Sequence, residues 1–549
     1  MNTITTQIRE ALNYFYNKDF LKSKILYEQI IKNITFDFPE LFLGYANVLY
    51  ELNNIDLAIE NYTYAIKSKN SLYEAYYGLA LCYESLNKLN QAIVNYKHAI
   101  NLKNDYLESY IKLANLFEKV NQYNDAKQIY KQGLQFCDNN MLLYDGLATL
   151  EYNNFNYNKA LKYHKKALAC INQNYTNESI FIVMNYSLTL FKQNKIKQAF
   201  KIQKKILKQV QSVQLLINLA TMYQMIVKPN ISIKYFKKVL QLEPNNYNAL
   251  FGLSISYFYK QQYEKAFFYY EYRWQRGDLK KSQRIFTQPL YNGTNIKNKK
   301  LFIYCEQGYG DNIMFARFLP YLKKLSQAYI IFETTKPLHK LFQYIKGYDQ
   351  LVLINDSNIT FDYYLPIMSL PYVLKITEKH LYVKTPYIFL EKKYKFNFNT
   401  NKLKIGLSFT SSKTSESTYL REVPLKYFKT LFDLDNIQLY SLEVDRTAKD
   451  KVDKYSKIIN LGNKLNNFYD TAQAIKELDL IISVDTSIVH LSAALNKPTY
   501  VLLSKSYDWR WSCKNKKSIW YPKVHIIKQK KLGKWKYVIK QLRKILTQK

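Results

Sequence analysis

Two short stretches of this chain place chemically capable side chains at a strand-to-helix turn. One is Glu306-Gln307-Gly308-Tyr309-Gly310-Asp311-Asn312, the other Asp485-Thr486-Ser487-Ile488-Val489-His490-Leu491. Each follows a short apolar run, residues 301–305 and 480–484, and each opens a segment with helical apolar spacing. In the first, Gly308 and Gly310 let the backbone approach a ligand closely, and Asp311 stands at the mouth beside a helix N-terminus. The same residues also read as an ordinary βα turn with Asp311 as helix cap. In the second, the hydroxyls of Thr486 and Ser487 and the backbone N–H groups of a helix start suit an anion, above all a diphosphate. His490, about one turn in, reads either as a donor to a phosphate or sugar oxygen or as a satisfied, partly buried imidazole.

The elements that must hold these turns follow from the pattern around them. From residue 301 onward, apolar runs at 328–332, 351–354, 403–409, 438–444, 457–461 and 499–503 read as further strands. Helices fall near 338–345, 471–477 and 488–495, and another starts in 368–374. Strands alternating with helices predict parallel sheets, here in two successive lobes with a cleft between them. Ahead of them, a polar passage with Pro289, Gly293 and several Asn and Lys reads as a linker whose Pro289 and Tyr291 pack across the junction.

The first half repeats itself. A small residue precedes an aromatic or polar one at Ala58/Tyr62, Ala92/Tyr96, Ala126/Tyr130, Ala160/His164, Ala199/Gln203, Ser232/Phe236 and Ala266/Tyr270, mostly 34 residues apart. A second small residue stands twelve positions before each, from Ala46 to Ser254. This resembles the tetratricopeptide repeat, with two helices per unit and seven to eight units, a degenerate one beginning near Ala11. Small residues let paired helices approach, the larger ones fill the gap to the next unit, and the stack forms a superhelix with a concave groove. Asn47, Asn115, Thr149 and Thr221 are placed either to meet an extended peptide in that groove or to be simply solvated.

Composition narrows the class. The chain has 549 residues, 48% hydrophobic and 22% charged, so a multidomain globular protein is expected. No uncharged apolar run is long enough to span a bilayer, and residues 1–10 lack a signal-peptide layout, so a cytoplasmic setting is expected. Five scattered cysteines without C-x-x-C or zinc spacing fit reduced thiols. The formal charge of +37 comes mainly from dispersed lysine with little arginine, so nucleic acid is not the expected partner. The most basic part, residues 505–549, has 15 Lys and Arg against Asp508 and leaves peripheral contact with an anionic membrane or glycan open.

Residues 301 to about 530 resemble glycosyltransferase family 9, the heptosyltransferase group, in bacterial proteins that carry this domain after tetratricopeptide repeats. The resemblance rests on Glu306 to Asp311, Phe315-Ala316-Arg317-Phe318, Ser369-Leu370-Pro371, Ile405-Gly406-Leu407-Ser408, Asp485-Thr486-Ser487 with His490-Leu491, Asp508-Trp509-Arg510-Trp511 and Trp520-Tyr521-Pro522. It implies a GT-B fold of two Rossmann-like lobes, residues 301–400 and 401–549, after a solenoid (1–275) and a linker (276–300). It implies Asp311 as general base, and donor contacts from Gly308, Gly310, Arg421, Glu443, Asp485, Thr486, Ser487 and His490, with Arg421 on the diphosphate and Glu443 on the ribose or base. No metal or other cofactor is expected, Asp433-Leu434-Asp435 reading as a turn. The chain departs from the family in a Ser/Thr-rich loop, 411–418. Trp509 and Trp511 stack on a sugar or pack the lobe. The expected activity is inverting transfer from a nucleotide-sugar to a protein or glycan acceptor presented by the repeats. The alternative is a non-catalytic repeat scaffold with a degenerate glycosyltransferase half.

Overall fold

The computed structural model describes residues 2–34, 38–138, 140–171, 175–277, 283–356, 359–381, 385–391, 396, 398–411, 421–512 and 517–548. The chain divides into two compact units, Met1–Leu215 and Leu216–Lys549. Among the described residues no helix is long and apolar enough to cross a membrane.

The first unit is built of paired helices, for example Pro39–Glu51 with Ile55–Ser68 and Tyr73–Ser85 with Leu89–Leu102. Each sequence signal has a packing reason. Ala46, Ala58, Ala80, Ala92, Ala114 and Ala126 are completely buried, where a larger side chain would force the helices apart. The ring of Tyr62 lies against Gly78, and that of Tyr130 against Gly146, so closely that an added Cβ would come within 2.3 Å of the ring. The turn inside a repeat is closed by a left-handed residue, Asn53, Asn87 or Asn121 at φ 57–62°, a conformation Asn tolerates better than most. Asn47 and Asn115 turn out to serve this packing, since their amide oxygens accept from the hydroxyls of Tyr62 (2.6 Å) and Tyr130 (2.8 Å). Asn47 is half-buried and Asn115 exposed, so these hydrogen bonds engage only their amide oxygens.

The second unit opens with the last repeat helices, Pro229–Leu242, Tyr247–Tyr259 and Tyr263–Tyr270, followed by a 3-10 helix, Glu271–Gln275. These residues share one compact body with the α/β part, although the sequence changes its period only near residue 300. A four-stranded parallel sheet follows, in the order β3 (Gln350–Leu353), β2 (Tyr329–Thr334), β1 (Lys300–Tyr304), β4 (Tyr363–Pro366). The preceding polar passage is anchored to it. Tyr291 is buried and its N–H donates to the Tyr364 carbonyl at 2.9 Å. Six further parallel strands run β10 (Val524–Lys528), β9 (Thr499–Leu503), β8 (Leu480–Val484), β5 (Leu403–Ser408), β6 (Ile437–Ser441), β7 (Ile458–Asn460). Counted within the lobe, that is the doubly wound order 3-2-1-4-5-6 read backwards, with its topological switch between β5 and β8. Neither β10 nor the closing helix Lys536–Thr547 is among the elements expected from the sequence pattern. The many lysines of that tail mask an apolar stripe, Val538, Ile539, Leu542 and Leu546, that completes the core under the larger sheet.

Candidate functional site

The turn after β8 sits at the switch point of the six-stranded sheet. Two residues beyond the end of β8, Thr486 is extended and occupies the N-cap position of the helix Ser487–Ala494, its hydroxyl making no capping bond to that helix. Thr486 and Ser487 line a cavity of about 600 Å³ together with Ser408 at the end of β5, Thr410 beyond it and Glu443 beyond β6. A second helix, Phe468–Glu477, also turns its N-terminus to the cavity through Asn467 and Phe468, and Lys451 adds a cation. The two helix starts, the hydroxyls of Thr486 and Ser487 and the Lys451 ammonium group offer donors to an anion, while the carboxylates of Glu422, Glu443 and Asp445 line other parts of the same cavity. Tyr309, from the turn after β1, contributes to the same cavity and packs its ring 5.2 Å from that of Phe468.

Asp485, one residue earlier, points elsewhere. Its Oδ1 accepts from the Trp511 indole N–H at 2.7 Å, and its Oδ2 lies 3.5 Å from Arg421 Nη1. Burial pushes its carboxyl above the ordinary range against the pull of Arg421. Trp511 is therefore a buried anchor for Asp485, and Trp509 stacks on Phe258 of the last repeat, centroids 3.8 Å apart, so both indoles pack. His490 is buried too, its Nδ1 2.8 Å from the Tyr521 hydroxyl. Burial, with help from Arg510 and Arg317, lowers its imidazole to about 3, so it is neutral at physiological pH. It stands where the glycine-bearing helix passes: a Cβ on Gly310 would come 2.9 Å from the His490 ring and 3.3 Å from Ser487 Cα. The absent side chain of Gly310 thus admits the helix Ser487–Ala494 rather than only a ligand.

Glu443 lines the cavity, but its carboxylate accepts from the Phe409 N–H (2.6 Å), the Thr410 N–H (3.0 Å) and the Thr410 hydroxyl, which fixes the turn after β5. Burial nevertheless raises it above the ordinary glutamate range. Of the Ser/Thr-rich loop 411–418, residues 412–418 lie outside the described residues. Asp433 and Asp435 form a turn, as read from the sequence. No group of three or more His, Cys, Asp or Glu that could hold a metal is found among the described residues.

At the turn after β1, Gly308 and Asp311 form a cap, the Gly308 N–H donating to Asp311 Oδ2 at 3.3 Å. The other oxygen, Oδ1, receives Arg510 Nη2 at 2.5 Å, and Arg510 also pairs with Asp508 at 2.8 Å. Burial pushes the Asp508 carboxyl up, but the attraction of Arg510 and Arg421 outweighs it and holds the group below the usual value. With two donors engaged, the Asp311 carboxylate keeps further lone pairs for an incoming hydroxyl. Arg510 belongs to one of the motifs that carry the resemblance, but the sequence assigns it no role; its signal is an arginine placed two residues after Asp508, in a chain with few arginines. Asp311 and Arg510 are thus brought together across the two lobes. The helix Tyr309–Ala316, which carries Asp311, packs at Gly310 against the helix Ser487–Ala494 that opens at the Thr486–Ser487 wall.

Comparison with known proteins agrees with both halves. The model described as "Glycosyltransferase family 9 (heptosyltransferase)" matches residues 439–536, and "Tetratricopeptide repeat" matches 73–106 and 107–140. No curated protein matches the chain in sequence. Similar solved structures are repeat proteins. One is the APC/C hetero-tetramer Cut9–Hcn1 (16% identity, 45% of this chain and 48% of that one, TM-score 0.35), of which the match spans about half. Another is a tetratricopeptide repeat protein from Parabacteroides merdae (13%, 47% and 99%, TM-score 0.36). A third is YrrB, "a TPR protein with an unusual peptide-binding site" (19%, 35% and 97%, TM-score 0.27). The chain carries tetratricopeptide repeats followed by a glycosyltransferase family 9 domain.

Proposed function

We propose that this protein transfers a sugar from a nucleotide-sugar donor to a hydroxyl of a protein or glycan acceptor, through a GT-B-type arrangement of its two lobes. The observation that carries the reading is the cavity of about 600 Å³ at the switch point of the larger sheet, walled by Thr486, Ser487 and two helix starts. The donor diphosphate lies over the N-terminus of Ser487–Ala494, where Thr486 and Ser487 donate to it and Lys451 offsets its charge. Arg421 and Arg510 stand behind that wall as further cations, so the leaving diphosphate is stabilised by fixed charges and helix dipoles rather than by a divalent ion. Asp311 takes the proton of the acceptor hydroxyl as its oxygen attacks the anomeric carbon, with inversion. Arg510 keeps the Asp311 carboxylate oriented. The repeats recruit the acceptor or its carrier, and the setting is cytoplasmic.

Purified full-length protein should be screened by thermal shift against UDP-, GDP-, ADP- and CMP-sugars, with and without EDTA. One donor class should stabilise it, by about 2.7 kcal/mol at 100-fold its dissociation constant. Thr486→Val should weaken that shift, and Asp311→Asn should keep it while abolishing sugar release. Stabilisation without any turnover points to the scaffold. The absence of both, in well-folded protein, removes the glycosyltransferase reading.

A further inference from the structure

Two motif residues of the glycosyltransferase half have no part in the reaction just described: Glu306, which opens the first turn, and Ser369, which follows β4. Both spend their side chains on the end of the repeat array. Arg273, on the 3-10 helix Glu271–Gln275, is fully buried. Its Nε donates to Glu306 Oε2 at 3.0 Å, and Nη2 donates to Glu306 Oε1 and to Ser369 Oγ, both at 2.8 Å. Nη1 donates to Glu271 Oε1 at 2.9 Å and to the Tyr270 carbonyl at 3.3 Å. All five guanidinium N–H groups are thereby engaged. Ser369 in turn donates to Glu271 Oε2 at 2.8 Å, and the Met368 N–H donates to Glu306 Oε1 at 3.0 Å. The next residue of the turn, Gln307, sits in the left-handed region at φ 60° although it is not glycine, and its amide donates to the Tyr270 hydroxyl at 2.6 Å. One residue further on, Gly308 is the cap whose N–H meets Asp311.

We propose that Arg273 and Tyr270, both supplied by the end of the repeat array, are positioning residues for the turn that carries Asp311. The inference rests on the reading of Asp311 as the base, but the physical chain is independent of it. A planar fork fixes Glu306, a hydroxyl holds Gln307 in a conformation it would otherwise leave, and Gly308 and Asp311 follow from the backbone so set. A lysine at 273 keeps the charge and loses the fork. The last repeat is therefore part of the catalytic body and not a removable recruiting arm.

The test uses the full chain with Tyr270→Phe and Arg273→Lys, measured in parallel for nucleotide release from UDP-, GDP-, ADP- and CMP-sugars and for amide hydrogen exchange by mass spectrometry. Both variants should lower kcat about tenfold to a hundredfold with the donor KM nearly unchanged, as expected when a reacting group is misplaced and not lost. Exchange should accelerate in the peptide covering residues 306–312 and nowhere else. An unchanged kcat with unchanged exchange at 306–312 overturns the proposal. So does a loss of activity accompanied by faster exchange throughout the second unit, which marks a merely structural ion pair. If the wild-type protein transfers no sugar from any donor, the reading of its activity fails by itself, and the exchange measurement then decides. Local acceleration at 306–312 keeps the repeat tail as the clamp on that turn, and its absence removes it.

Discussion

The turns after β1 and β8 begin as the same local object, an apolar parallel strand, a polar turn with one aspartate, and a helix of eight residues. They end with opposite assignments. After β8 the hydroxyls face an open cavity of about 600 Å³, while the aspartate turns away to Trp511 and Arg421. After β1 the aspartate stays at the mouth, paired with Arg510, and the residue that turns away is Glu306, toward Arg273. The difference lies in what packs behind each turn. Behind the first is the end of the repeat array, with a buried arginine that needs carboxylates. Behind the second is the aromatic cluster of Trp511, His490 and Tyr521, with an indole that needs an acceptor. Two similar strand–turn–helix units thus differ in which acidic side chain the nearest buried donor draws away from the turn.

That contrast can be broken experimentally. The largest effect is expected from Asp311→Asn, which keeps the cap geometry and removes the proton acceptor. Turnover should fall by about 10²–10⁴-fold with donor-induced stabilisation intact, as read by nucleotide release and thermal shift. Loss of donor binding instead would move Asp311 to the donor side. Next in size is Arg273→Met. Removing one partner strands the buried Glu306, and the second unit should lose about 3–5 kcal/mol in denaturant unfolding. A loss below about 1 kcal/mol would mean that the network is solvated in solution.

The His490 cluster predicts a pH effect of intermediate size. An imidazole lowered on folding to about 3 contributes stability that is complete above its unfolded value of about 6.5 and is lost as the pH falls toward 3. Between pH 6.5 and 5 the loss should be about 2 kcal/mol, and His490→Gln should flatten that part of the curve. Equal pH dependence in the variant would assign the effect to other groups. The smallest effect is reserved for Asp485→Asn. The amide oxygen of that variant would still accept from Trp511, and only the long contact with Arg421 would be lost. About 1 kcal/mol of stability should go, with donor affinity nearly unchanged. A tenfold loss of donor affinity there would put Asp485 in the binding wall and erase the contrast between the two turns.

Much of this architecture is legible in the residues. Tyr62 and Ala58 recur at repeat spacing because helix pairs need a small residue where they cross and a large one where units meet, and the structure places both there. The strand around Ile482 is buried throughout and reads as an almost unbroken apolar run, and those around Ile405 and Leu439 are interrupted only at half-buried Lys404 and Gln438 and at a buried serine each. Thr486 and Ser487 are foreseeable at a helix start because strand, turn and helix are all local. The closing helix Lys536–Thr547 is less legible, since lysine stems tolerate a surface face without disturbing an apolar stripe four residues apart.

What the sequence determines by itself is therefore set by short-range rules: helix pairing every 34 residues, the alternation of strand and helix after residue 300, and the hydroxyl-bearing helix start at Thr486. What only the tertiary structure decides is where each polar side chain finds its partner. Arg273 meets Glu306 across 33 positions, Trp511 meets Asp485 across 26, and Arg510 meets Asp311 across 199. A buried charge or indole N–H must be satisfied by whatever group the fold brings within about 3 Å, and no local pattern records which group that will be.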